Sequence, residues 1–290
     1  MPRDECLRPC FAAESRPLVH LSFFWRGGLG LAQLHKGTSF DRYPEIFRTA
    51  QARVAQKSGP GLNGSSLRIL SFGCSDGDEM DTIRAYFPDA QIFGCDIDLD
   101  AAKSRDRLPG RVFLSTRDNV LEHGPYDVIF ACSVLCRHPL PRNKTVPDLF
   151  PFTEFVDLAT WIDDALARDG LFCLYNGSYL FEELPFASAY RPIRSGLISE
   201  NGFLSKWHST GQQVTRRVKK HGKNQHVILR SDLLAGDASL RDCIFERCQG
   251  MPIEVAIPEA QLLPGNVTPT APPLNWQARI ARFLKLRPRS

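Results

Sequence analysis

The chain has 290 residues, of which 43% are hydrophobic and 23% charged, with a formal net charge of +4. That supply of apolar residues fills a core of ordinary size without a metal or a disulfide staple, and the charge is too small to point to nucleic acid as the partner. No run of about 18 apolar residues occurs, so no transmembrane helix is expected. Met1 to Arg16 lacks the apolar centre of a signal peptide, and the expected compartment is the cytoplasm.

In chain order, residues 1–66 show no sustained period. An apolar, aromatic stretch from Leu18 to Trp25 is followed by Gly27-Gly28-Leu29-Gly30. Tyr43 to Gln56 reads as a helix, because Ile46, Phe47, Ala50 and Val54 recur at helical spacing. The glycine- and serine-rich segment 58–66 reads as a loop and as a boundary. Residues 1–66 are therefore expected to form an N-terminal cap or substrate segment, with Tyr43 a candidate wall of the pocket.

From Leu67 the pattern changes to short apolar runs alternating with helices. Strands are expected at 67–72, 91–95, 111–115, 126–132 and 170–175, and helices at 78–87, 100–107 and 152–168. Val214 to Lys219 and His226 to Arg230 read as a hairpin. The fold class this predicts is α/β: a Rossmann-like, mostly parallel sheet with helices on both faces and an antiparallel hairpin at its end. The core is expected to span 67–234, with an insertion at 177–212 whose Tyr179 is a candidate substrate contact. Residues 235–290 read as a C-terminal extension. It holds a proline-rich linker from 252 to 274 and a short basic amphipathic helix from Trp276, suited to a membrane surface or a partner.

Nine cysteines are present. Cys95, Cys132 and Cys173 fall in apolar runs, where a free thiol behaves as a small hydrophobe. Cys6/Cys10, Cys132/Cys136 and Cys243/Cys248 come close to ligand spacing, yet no closed four-ligand set appears, and no metal is expected.

The chemistry is carried by Ser71-Phe-Gly-Cys-Ser-Asp-Gly-Asp-Glu79, between an expected strand and an expected helix. In an open α/β sheet a ligand lies at that junction. Gly73 and Gly77 permit a tight turn and close backbone approach. A pyrophosphate-binding loop would read Gly-x-Gly-x-x-Gly. This loop does not, and Asp76, Asp78 and Glu79 suit a cationic ligand better than a phosphate. One strand–helix–strand unit later stands Asp96, an acid placed to accept two ribose hydroxyls.

The segment Leu67 to Asn176 resembles the core of class I S-adenosylmethionine-dependent methyltransferases. Its wording is most similar to the chemotaxis receptor methyltransferases, in the Gly73-Cys74-Ser75-x-Gly77-x-Glu79 loop, in Asn119-Val120, and in Tyr126-Asp127-Val-Ile-Phe130. The resemblance implies S-adenosylmethionine (SAM) as cofactor. Gly73, Cys74, Ser75 and Gly77 would wrap its methionine part and Glu79 would hold its amino group. Asp96 would bind the ribose, Ile97 would lie on the adenine, Asn119 and Val120 would meet the adenine edge, and Ser133 would lie near the methionine part. The receptor enzymes have Arg-Asn where this chain has Cys132-Ser133, so their receptor substrate does not carry over.

The segment Cys136-Arg137-His138-Pro139 follows the fourth strand, where this fold places substrate-facing residues. Arg137 is a candidate substrate contact and His138 a candidate general base. The function read from these residues is methyl transfer to a small-molecule or protein acceptor. Two alternatives stay open: a non-catalytic cofactor-binding protein on the same core, and a nicotinamide-dependent oxidoreductase, which the acidic loop and the absent third glycine disfavour.

Overall fold

The computed structural model describes residues 37–58, 67–98, 111–198, 202–220, 223–228, 242–248 and 255–256. The stretch 18–30, the helix expected at 100–107, the basic helix from Trp276 and all of the linker but residues 255–256 lie outside the described residues.

The described elements are α1 (Pro44–Ser58), β1 (Arg68–Phe72), α2 (Asp78–Tyr86), β2 (Gln91–Asp96), β3 (Val112–Leu114), α3 (Arg117–Glu122) and β4 (Tyr126–Cys132). They continue with α4 (Val146–Leu149), α5 (Phe152–Ala165), β5 (Leu166–Tyr175), β6 (Tyr190–Arg194), β7 (Thr215–Lys220), β8 (Lys223–Ile228), β9 (Ile244–Arg247) and β10 (Val255–Ala256). An eight-stranded sheet runs in the order β10-β6-β9-β5-β4-β1-β2-β3. The block from β3 to β5 is parallel.

The apolar runs become strands because they bury side chains on both faces. Leu70, Ile129 and Phe172 point to one face, under Phe155, Leu158, Ala159 and Ile162 of α5. Their neighbours Ile69, Val128, Phe130 and Cys173 point to the other, under Ile46, Phe47 and Ala50 of α1 and Met80, Ile83 and Tyr86 of α2. This alternation is the period of a pleated strand. Each fully buried side chain of this size contributes about 1.5–3 kcal/mol, so burial on two faces outweighs local propensity. Cys74, Cys95, Cys132, Cys136, Cys173 and Cys243 are buried free thiols. Among the described residues no group of His, Cys, Asp and Glu is arranged to hold a metal ion, and no helix is long and apolar enough to cross a membrane.

The carboxyl end of the core differs from the sequence reading. The hairpin forms as β7 and β8, but as a two-stranded sheet of its own. The antiparallel strand of the main sheet is β9, which pairs with both β5 and β6. Charge explains the exchange: Thr215–Lys220 reads TRRVKK, whereas β9 brings buried Ile244 and Phe245. β6 lies within 177–212, read as an insertion, and β9 lies within 235–290, read as an extension. Both are short and β6 contains Pro192, so neither carries a readable period.

Residues 37–58 are part of the same packed unit. The buried Glu246 of β9 accepts ion pairs from Arg53 at 2.8 Å and Lys57 at 3.1 Å on α1, and from Arg191 of β6 at 2.7 Å. Burial alone would raise its carboxyl; the hydrogen bonds from Arg53, Arg191 and Lys57 outweigh that and hold it below the usual carboxylate range. α1 is thereby fastened across the sheet, with its first turn over the strand ends.

Candidate cofactor site

After β1 the chain proceeds to β2 on one side, and after β3 it returns to β4 on the other. The crevice between the carboxyl ends of β1 and β4 is the switch point where such sheets hold ligands. A cavity of about 300 Å³ occupies it. Its floor is Gly73 and Ser75 after β1, Asp96 and Ile97 after β2, Ser115 after β3, and Cys132 to Val134 after β4. The segment 37–43 forms the roof. It is fixed there by the Asp41 amide, which donates to Thr82 Oγ1 (2.8 Å), and by Tyr86, whose hydroxyl donates to Asp41 Oδ1 (2.8 Å).

The β1–α2 loop is bent by residues in the left-handed region: Gly73 at φ 81°, Ser75 at 49° and Gly77 at 94°. The amides of Gly73 and Cys74 both donate to the Cys95 carbonyl, which ties the loop to the end of β2. Asp96 tightens the same junction: Oδ2 accepts the Ser75 amide at 2.8 Å and Oδ1 the Asp98 amide at 2.9 Å. Each carboxylate oxygen keeps a second lone pair for a ligand. A Cβ on Gly73 would stand 2.5 Å from Val134 Cγ2, so the two strand ends approach as closely as glycine allows.

Glu79, in the first turn of α2, is half-buried and lines the cavity. Its Oε1 accepts from Ser71 Oγ at 2.7 Å. Burial pushes its carboxyl up to about 7, against the pull of Ser71, the Cys132 thiol and Arg42. It is an acid that gains from a cation beside it.

On the β4 side Ser133 stands at φ 59° and Asn176, after β5, at 61°. Ser133 Oγ shares a 2.9 Å hydrogen bond with the Tyr43 hydroxyl and accepts another from Asn176 Nδ2 at 2.9 Å. Asn176 Oδ1 accepts the amides of Phe203 and Leu204, each at 3.0 Å. One buried side chain therefore sets both the cavity floor and the loop beside it. Burial pushes the Tyr43 phenol up to about 12, so it stays protonated.

Of the residues singled out from the sequence, Gly73, Ser75, Glu79, Asp96, Ile97, Ser133, Tyr43 and His138 line this cavity together. The others stand elsewhere. Gly77 is buried at the start of α2, where its left-handed backbone serves the turn. The Cys74 side chain is core, packed toward Gly94 and Met80. Val120 is the buried residue of α3, packed into the core, and Asn119 spends its side-chain amide on the Leu114 carbonyl (2.9 Å); neither lines the cavity, and Ser115 lines it from that side. Tyr179 is buried among Phe150, Phe152 and Phe155, with its hydroxyl donating to the Phe150 carbonyl. Arg137 lines the groove next door. The sequence reading missed Asn176, whose Asn-Gly dipeptide signals only a turn, and Phe203, in a segment without period.

The residues present fit a ligand with a cationic end and a ribose. Two carboxylates face the cavity, and Arg42 is the one arginine or lysine among its described lining residues. Ile97 is 36% exposed, an uncovered apolar surface beside Asp96 suited to a flat base. No protein-family model matches the chain, and no curated protein matches it in sequence. Solved structures do resemble it. One is SAM-bound CalS10, an amino pentose methyltransferase from Micromonospora echinaspora: 22% identical, with 49% of this chain and 58% of that chain covered, at a TM-score of 0.30. Another is the plantazolicin methyltransferase BpumL in complex with a pentazolic desmethylPZN analogue and S-adenosylhomocysteine (SAH): 19% identical, with 53% of this chain and 50% of that chain covered, at a TM-score of 0.33. The match thus spans 58% of the first neighbour's length and half of the second's. These structural neighbours of the chain are SAM-dependent methyltransferases.

Proposed function

We propose that this chain binds SAM in the cavity at the ends of β1, β2 and β4 and transfers its methyl group to an acceptor arriving past His138. The observation that carries the reading is that the carboxyl groups of Glu79 and Asp96 line one cavity, beside a β1–α2 loop with no basic residue to receive a phosphate. Glu79 would pair with the cofactor's ammonium, and Gly73 and Ser75 would offer backbone to its methionine part. Asp96 would accept the ribose hydroxyls, and Ile97 would cover the base.

When bound, the cofactor supplies a methyl group on a positively charged sulfur, already a good leaving group. The chain's own work is then orientation. Ser133, fixed by Tyr43 and Asn176, would shape the cavity wall after β4 against which the cofactor and acceptor are oriented. His138 takes the acceptor's proton where there is one to lose.

Replacing Asp96 with Ala should weaken SAH binding by about 1.5–3 kcal/mol, the scale of hydrogen bonds to a charged group. In the parent protein SAH should raise the melting temperature, as a ligand of the native state does. Thermal melts of both proteins over an SAH series measure this. Superimposable curves for parent and variant would remove Asp96 from the site.

A further inference from the structure

The segment after β5, Asn176-Gly177-Ser178, joins chain segments from both sides of the cofactor cavity. Asn176 and Ser178 are fully buried. Ser178 Oγ accepts the Arg137 amide at 3.1 Å, next in sequence to His138. The Ser178 amide donates to the Leu135 carbonyl at 3.0 Å, and its carbonyl accepts the Trp207 amide at 2.9 Å.

The Asn176 side chain holds the opposite flank. Its Oδ1 accepts the amides of Phe203 and Leu204, each at 3.0 Å. A backbone N–H only donates, so the oxygen must face these two amides and Nδ2 must face Ser133. A Cβ on Gly202 would stand 2.4 Å from Asn176 Oδ1, so the loop closes directly over the side chain. An asparagine needed only for its turn would leave its amide to water. This one spends both lone pairs of its oxygen on the loop and a proton on Ser133.

The result is one line of hydrogen bonds across the site. It runs from the Tyr43 hydroxyl through Ser133 Oγ and Asn176 to the Phe203 and Leu204 amides. Tyr43 and Ser133 line the cofactor cavity. Phe203 lines it too, with its ring edge to face on His138 at a centroid distance of 5.8 Å. Leu204 is not among the cavity's lining residues; it lines the neighbouring groove.

Resting on the methyl-transfer reading above, we propose that Asn176 is a positioning residue that ties the acceptor side of the site to the filled cofactor cavity. A hydroxyl has one proton and two lone pairs. Ser133 accepts from Asn176 Nδ2, so its own proton goes to Tyr43 or to the cavity. With either choice, a ligand oxygen that accepts the last proton of the line makes Ser133 Oγ a better acceptor. Hydrogen bonds in series polarise one another, so Asn176 then grips the Phe203 and Leu204 amides more strongly. The wall carrying Phe203 against His138 is thereby set once the cofactor is in place. Linkage makes the effect mutual: an acceptor resting on that wall would raise cofactor affinity.

Two reporters separate this coupling from cofactor binding itself, since Trp161 lines the cofactor cavity and Leu204 only the groove. The Trp161 indole and Leu204 amide resonances are followed during SAH titration of ¹⁵N-tryptophan, ¹⁵N-leucine protein, with assignments from Trp161→Phe and Leu204→Ile. In the parent protein both signals should move along one saturation curve, the Leu204 amide proton downfield and with slowed hydrogen exchange. Ser133→Ala cuts the line on the cavity side and leaves Asn176 on the loop. There SAH should still move Trp161, and the Leu204 response should be lost. Asn176→Gly accepts the left-handed backbone and removes both links, and it should uncouple the two signals in the same way. An SAH response at Trp161 without one at Leu204 in the parent would overturn the proposal and leave the cofactor reading standing. So would a Leu204 response that survives Ser133→Ala undiminished. Silence at both positions would strike the cofactor reading and this proposal with it.

Discussion

Replacing His138 with Ala should lower turnover about 10²–10⁴-fold, the usual yield of general-base help, and leave SAH affinity nearly unchanged. The expectation follows from position: His138 lines both the cavity at the ends of β1 and β4 and the groove beside it. An acceptor hydroxyl or ammonium must lose a proton as it attacks, and a neutral imidazole there can take it. Imidazole titrates near neutrality, so the variant's pH–rate profile should lose that limb, and added imidazole should restore part of the rate. A merely structural role would show neither effect. If the attacked atom is itself a carboxylate, no proton need leave. Turnover equal to the parent would then remove His138 from the chemistry and leave orientation as the main device.

The second large effect concerns stability. Gly73→Ala should destabilise the protein by roughly 2–4 kcal/mol, from two causes of similar size. Gly73 stands at φ 81°, a conformation an L side chain enters only at a cost. Its new Cβ would also lie 2.5 Å from Val134 Cγ2 and 2.9 Å from Cγ1. Adding Val134→Ala relieves the overlap and leaves the backbone cost, so the double variant should recover part of the loss. Denaturant melts of the single and double variants measure both parts. A Gly73→Ala protein as stable as the parent would mean that β1 and β4 do not approach as described.

The parallel centre of the fold was legible because its strands are buried on both faces, which leaves long apolar runs such as Tyr126–Cys132. The edge was not. β6 contains a proline and β9 has only four residues, one of them the buried Glu246, whose burial depends on Arg53, Lys57 and Arg191 from distant segments. No local pattern announces a charge made tolerable by partners so far away in sequence. The site divides in the same way. Glu79 and Asp96 stand in a loop and a strand end whose spacing is local, and both reach the cavity. Asn119 and Tyr179 have the right residue types near the right strands, but their side chains are claimed by the Leu114 and Phe150 carbonyls. Asn176 was hidden for the opposite reason: its role is to join Ser133 to Phe203, a link between chain segments that meet only in the folded molecule.

The most direct test is calorimetric titration of the whole chain with SAH and with NAD, side by side, at pH 6 and pH 8. The Glu79 carboxyl stands at about 7 in the free protein, above its unfolded value. The neutral form therefore stabilises the fold fully below the unfolded value, and that contribution is lost as pH rises through about 7. An ammonium beside Glu79 favours the ionised form, so SAH binding should release a proton at pH 6 and tighten about tenfold by pH 8. Glu79→Gln should weaken binding and flatten this dependence. SAH binding with that pH response, and little or no heat from NAD, is the predicted result; tight NAD binding with no response to SAH would contradict it.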